Sequence, residues 1–116
     1  MELRALLLLV FLSFSTLWAA KLQIDDKIVT KQDVLPVTLT LGEPVSGQGT
    51  LSLLWTDSFG RKVAESTKTV EINGQFLEFS FPLAPAVALQ NFLEVTLNIE
   101  GRRVQEELEF FVTPTS

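Results

Sequence analysis

Apolar residues recur at every second position through most of this chain, and that period fixes its class. Leu35, Val37, Leu39 and Leu41 form one such run; Leu51, Leu53 and Trp55 form another. Leu77, Phe79 and Phe81 follow, then Leu93, Val95, Leu97 and Ile99. Successive strand side chains point to opposite faces, so each run describes a strand with one buried face and one wet face. No window carries a sustained helical period. Short strands with turn chemistry about every 8–12 residues predict an all-β fold, an antiparallel two-sheet sandwich of about seven strands.

The best-defined unit is Gly49 to Val63, GTLSLLWTDSFGRKV. It reads as a strand ending at Trp55, a tight turn at Asp57-Ser58-Phe59-Gly60, and a return strand. Asp at the first turn position and Gly at the fourth suit a type I turn. Trp55 is in phase with Leu51 and Leu53, which assigns its ring to the core.

The remaining segments fall around this hairpin. Leu22 and Ile24 start a short strand, Asp25-Asp26-Lys27 interrupts it as a turn or bulge, and Ile28 and Val29 resume it. Pro36 cannot donate to a ladder, so it belongs near its strand's start or at an edge. Gly42 to Gly49 has loop composition. Lys62 to Ile72 is a long polar stretch, suited to an edge strand or to two short ones. Asn73-Gly74 is a strong hairpin signal, since both central positions of such a turn need positive φ. Leu83 to Asn91 reads as a crossover connection with room for one helical turn. Leu93–Ile99, the turn Glu100-Gly101-Arg102, and Val104–Val112 make the closing pair. The expected inward set is Leu39, Leu41, Leu51, Leu53, Trp55, Leu77, Phe79, Phe81, Val95, Leu97, Ile99, Leu108 and Phe110.

Residues 1–20 have the form of a signal peptide. Arg4 and the free amine precede the apolar run Ala5–Leu12, and small residues close the stretch at Ala19-Ala20. As an uncleaved anchor, Ala5 to Ala20 would fall short of the roughly 20 apolar residues that span a bilayer. The expected organisation is therefore a signal peptide over 1–20, a β-sandwich over 21–112 and a linker-like tail over 113–116. The ending Thr113-Pro114-Thr115-Ser116 is what a connection to a C-terminal domain outside this chain would look like. The expected location is secreted or periplasmic, with no membrane association after cleavage.

Composition removes whole classes of chemistry. The chain of 116 residues contains no cysteine and no histidine. The common zinc, copper and haem sites, Cys nucleophiles and histidine-based triads are therefore unavailable. A lipoprotein anchor and any disulfide are excluded for the same reason. A net charge of −5 argues against nucleic-acid phosphates and anionic lipid as partners. No cofactor and no metal site is expected: Asp25, Asp26, Asp33 and Asp57 lack the spacing of a calcium loop.

The hairpin LSLLWTDSFGRKV (51–63), the segment FSFPL (79–83) and the closing pair FLEVTLNIEGRRV (92–104) carry a resemblance. The chain resembles the immunoglobulin-like and fibronectin-III-like sandwiches of secreted bacterial proteins. Such modules accompany the catalytic domains of glycoside hydrolases and make up macroglobulin-type chains. The cysteine pair of true immunoglobulin domains is absent, as is the tyrosine of the tyrosine corner. The resemblance implies an accessory or interaction role and transfers no catalytic residue.

The expected function is thus an exported, non-catalytic module acting in protein interaction or as a structural spacer. Its partner would be a protein or a polysaccharide. The alternative is a carbohydrate-binding module using exposed phenylalanines: Phe59 at the hairpin tip, Phe76 beside Asn73-Gly74, and Phe92 and Phe111, out of phase with their strands. Glu107 and Glu109 share a face of the last strand and could in principle act as paired carboxylates; a solvated strand face offers them no cleft. The candidate binding rim is Phe59, Arg61, Lys62, Phe76, Arg102 and Arg103. If the two hairpins are neighbours, Arg61, Lys62, Arg102 and Arg103 would form a small basic patch, or pair with glutamates across strands.

Overall fold

A computed structural model describes residues 19–114; the expected signal peptide falls almost wholly outside them, as do Thr115 and Ser116 of the tail. The elements are β1 (Ala20–Gln23), β2 (Ile28–Thr30), β3 (Val34–Asp57), β4 (Lys62–Pro82), β5 (Gln90–Ile99) and β6 (Arg102–Thr113). They form one hydrogen-bonded sheet in the order β1-β3-β5-β6-β2, with β4 also paired to β3. All pairings are antiparallel except β2 with β6, which is parallel. The described residues are all-β, as the alternation predicts. The six strands make a single curled, mixed sheet, where the sequence suggests two antiparallel sheets of about seven.

The difference lies in β3 and β4. They form one continuous ribbon, 24 and 21 residues long, paired from Val34–Pro82 to Thr56–Lys62. Two features expected to break it do not. Gly42–Gly49 is not a loop, and Asn73-Gly74 is not a hairpin turn, because Asn73 and Gly74 stay in the ladder opposite Ser46 and Val45. Their glycines serve a bend instead. Between Thr40–Phe76 and Val45–Gly74 the register slips, so that four β3 residues stand against one β4 residue. Gly74 has φ +128°, a value that excludes side-chain-bearing residues without strain. Gln75 Nε2 donates to the Leu41 carbonyl at 3.0 Å, and the Gly42 amide donates to Ala19 at 2.9 Å.

The bend folds the ribbon back on itself. Along a straight strand, Leu35 and Trp55 would lie about 65 Å apart. Yet Phe81, the cross-strand partner of Leu35, has its ring centroid 5.4 Å from that of Trp55. Phe110 of β6 completes the cluster, 5.8 Å from Trp55 and 5.9 Å from Phe81. The core is the space enclosed between the two halves.

Every residue of the expected inward set lies at or against this core. Leu39, Leu41, Leu51, Trp55, Val95, Leu97, Ile99 and Phe110 are buried, while Leu53, Leu77, Phe79, Phe81 and Leu108 are half-buried against them. Alternation alone does not place Leu83 and Ala86 there. The connection Leu83–Leu89 contains turns and no helical turn, and it lays both residues over one end of the core.

The second buried anchor is Asn91, fully enclosed at 0% exposure. Its Oδ1 accepts the Trp55 indole N–H at 2.9 Å, and its Nδ2 donates to the carbonyls of Ala88 and Leu89, each at 3.0 Å. One amide thereby fixes the tryptophan and the connection together. Asn91→Leu removes an acceptor and two donors from a closed site, so it should cost on the order of 2–4 kcal/mol in urea unfolding. Gly49→Ala should also destabilise, by roughly 1–3 kcal/mol. An added Cβ there would stand 2.7 Å from the Asn98 carbonyl oxygen.

Candidate functional site

The turn joining β3 to β4 carries three of the six candidate rim residues, and its geometry begins with a buried carboxylate. Asp57 ends β3 on the inward phase and is buried. Its Oδ1 accepts the backbone amides of Phe59 at 2.9 Å and Arg61 at 3.2 Å. Its Oδ2 accepts Arg61 Nε at 3.1 Å and lies 3.0 Å from Arg61 Nη2. The Gly60 amide donates to the Asp57 carbonyl at 2.9 Å, closing the turn. Burial pushes the Asp57 carboxyl up. The Arg61 side chain, the two amides and the Arg61 charge together outweigh it and hold the group below its ordinary 3.8.

This lattice presents Phe59. Its side chain is 72% exposed, with the Arg61 guanidinium 4.9 Å from its ring centroid. The stacked pair is therefore held by the same carboxylate that shapes the turn. Lys62 stands beside it and pairs with Glu65 at 2.9 Å. Asp57 thus acts as a turn organiser, with its oxygens engaged by protein donors.

The other rim residues are elsewhere. Asp57 faces Asn91 and Gly49 faces Ile99, so the β5–β6 turn is eight residues along the strand from the β3–β4 turn, about 27 Å. Arg61 and Lys62 do not join Arg102 and Arg103 in one basic patch. Arg102 pairs with Glu43 at 2.9 Å, and Arg103 donates to Gln105 at 3.3 Å. Phe76, also exposed, faces Thr40 beside the bend. Among the described residues, the two most exposed phenylalanines thus occupy opposite ends, and no row of aromatic rings connects them. Phe92 and Phe111 are half-buried on β5 and β6.

Glu107 and Glu109 lie on the outer face of the last strand, whereas Glu106 faces Val95 on the inward phase. Glu107 faces Glu94 across the strand pair, and Glu94 accepts Gln105 Nε2 at 2.6 Å. Glu109 accepts Gln90 Nε2 at 2.5 Å and lies 3.9 Å from Lys27 Nζ. Among the described residues no group of three or more Asp or Glu side chains is placed to hold a metal ion, and no helix is long and apolar enough to cross a membrane. A small apolar hollow lies between Ala64–Ser66 and Phe81–Pro82, with Trp55 among its lining; larger ones, of about 320 and about 290 Å³, lie beside Ala86–Leu89 with Lys31 and beside Asp25, Asp26 and Asp33. At about 160 Å³ the first is smaller than the roughly 300–1,000 Å³ of small-molecule sites.

Asn91 is the residue that sequence reading passes over. It stands at an odd position, in phase with Leu93, Val95, Leu97 and Ile99. A polar residue on the buried phase is the signal that could have found it.

The chain matches no protein-family model and no curated protein sequence. Its fold is similar to parts of several solved structures. A cycloisomaltooligosaccharide glucanotransferase of Paenibacillus sp., solved with cycloisomaltoheptaose, aligns at TM-score 0.62 and 11% identity, over 87% of this chain and 14% of that one. A β-glucosidase of Listeria innocua, solved with glucose, aligns at 0.54 and 12%, over 84% and 16%. A glycosyl hydrolase family 2 member of Bacteroides cellulosilyticus aligns at 0.50 and 13%, over 84% and 15%. The chain spans about a seventh of the length of these proteins, and at such identity the likeness is one of fold.

Asp57 gives the site a pH signature. A carboxyl whose folded value lies below its unfolded value stabilises the protein above the unfolded value, and that contribution disappears as pH falls through the folded one. Urea midpoints measured from pH 6 to pH 2 should therefore drop as the pH passes below about 4. In Asp57→Asn the acid limb should be shallower.

Proposed function

We propose that this chain is a non-catalytic β-sandwich module of the immunoglobulin-like or fibronectin-III-like kind, exported from the cell and acting in protein interaction or as a spacer. The observation that carries the reading is one of proportion. At least 84% of the chain aligns with about a seventh of far longer sugar-active proteins, which is the relation of a module to a multidomain enzyme. The pairing pattern supports the sandwich. The first half of β3 lies between β1 and the end of β4, the second between the start of β4 and β5, and ring contacts join the halves. Two facing layers with connections of this kind define the architecture.

The chemistry of the surface supports the absence of catalysis. Most glycoside hydrolases use two carboxyl groups facing each other across a substrate cleft, one of them held protonated. Here Glu94, Glu107 and Glu109 lie along an open sheet face, two of them engaged by glutamine amides.

Two measurements test the reading. The full chain expressed in a bacterium with an outer membrane should be recovered from the periplasm or medium, with an N-terminus at Ala20 or Lys21 by intact mass; retention of residues 1–18 would remove the export claim. The mature protein should release no product from aryl glycosides or soluble α-glucans. Release that is lost in Glu107→Gln or Glu109→Gln would make it an enzyme. Co-sedimentation with insoluble polysaccharide, weakened by Phe59→Ala or Phe76→Ala, would establish the carbohydrate-binding alternative.

A further inference from the structure

One side of the molecule is built by β4 alone. Folding the ribbon keeps its β4 edge on the same side in both layers, because a bend along a strand does not exchange its two edges. On its other edge β3 carries β1 beside its first half and β5 beside its second. There β1 stands against β6 across the layers, which closes that side. On the opposite side β4 pairs with β3 only, and among the described residues no further strand lies along it. Its outer edge therefore presents a row of peptide N–H and C=O groups without a strand partner.

The same side is hollow. Residues directly opposite each other in a strand pair share a face, so Ala64 and Ser66, opposite Trp55 and Leu53, hold the inward phase of β4. Both are short, and both are exposed. The space they leave is the apolar hollow between Ala64–Ser66 of one layer and Phe81–Pro82 of the other. Its volume of about 160 Å³ matches the roughly 150 Å³ that takes one benzene ring inside a protein.

We infer that this side is a strand-addition groove, in which an extended peptide pairs with the outer edge of β4 and places one aromatic ring in the hollow. Two independent features specify that occupant. Another extended backbone answers a row of alternating donors and acceptors, and a large apolar side chain answers a hollow walled by Leu53, Trp55 and Phe81. A second copy of β4 supplies the first and not the second. Along Lys62–Val70 its inward phase is Ala64, Ser66, Lys68 and Val70, which contains no ring. Lys68, a charge on the inward phase, also guards the rest of the edge against indiscriminate pairing. Charges along the edge cancel: Lys62 and Lys68 stand with Glu65 and Glu71, and Lys62 pairs with Glu65 at 2.9 Å. Recognition is therefore by backbone and shape, without need of a charged partner. The inference rests on the interaction reading proposed above and names the class of partner for it.

The test uses an uncharged, end-capped peptide of about seven residues, within the usual strand length, with threonine and valine alternating around a central phenylalanine. Titrated to about 1 mM against the purified protein, it should shift the backbone amide resonances of Val63–Thr67 and slow their exchange with solvent. Added salt should change the affinity little. Replacing the peptide's phenylalanine by alanine should weaken binding about tenfold or more, and N-methylation of its edge-facing amides should abolish it. Ser66→Leu fills the hollow from within, so it should abolish binding while the melting temperature holds or rises. Absence of binding at about 1 mM overturns the inference, as does equal binding of the alanine peptide or binding that survives N-methylation. A dimer of the protein alone, with the Val63–Thr67 amides protected in it, would make a second copy the occupant and overturn it as well. Any of these results leaves the module a spacer and touches neither its export nor its lack of catalysis.

Discussion

The contact of Trp55 with Phe81 is the constraint on which the rest of the molecule depends. These residues belong to opposite ends of one long β-ribbon. A two-stranded ribbon is marginal in water by itself, since it has no second surface to bury. Folding it at the bend gives each half the other as its second surface. The ring of Phe110 and the amide of Asn91 lock the result from β6 and β5. The indole is therefore held by shape on one side and by a hydrogen bond on the other, the arrangement a buried tryptophan requires.

That contact also explains which parts of the fold were readable. Phase is a local property, and each residue it set inward, from Leu39 to Phe110, lies at or against the core, although Leu35, Val37, Val45, Ile72, Leu93, Val104 and Val112, outside that set, are buried as well. The bend is a non-local property. Gly42, Pro44, Gly47, Gly49 and Gly74 look like loop and turn residues because their conformational freedom is what a loop needs. A sharply folded strand needs the same freedom, and composition does not separate the two. The Asn73-Gly74 pair shows this best: positive φ at Gly74 was required, but by a register slip opposite Leu41–Pro44 instead of by a reversal. Whether the strands form one sheet or two turns on the same few residues.

The candidate rim divides along the same line. Phe59, Arg61 and Lys62 are close in sequence, and the turn chemistry of Asp57 and Gly60 predicts their joint presentation. Their expected union with Arg102 and Arg103 rested on two hairpins lying side by side with their tips together. Antiparallel pairing of β3 with β5 puts those tips at opposite ends. Only the connectivity between strands decides that, and alternation carries no information about it.

Asp57 illustrates how a residue that looks reactive becomes scaffold. A carboxylate near a positive side chain at an exposed turn suggests a ligand site. Here both its oxygens are occupied by donors from the four residues that follow it, and burial makes those bonds necessary. The consequence runs outward. Because the turn is fixed from within, Phe59 has no local partner except the Arg61 that is itself held.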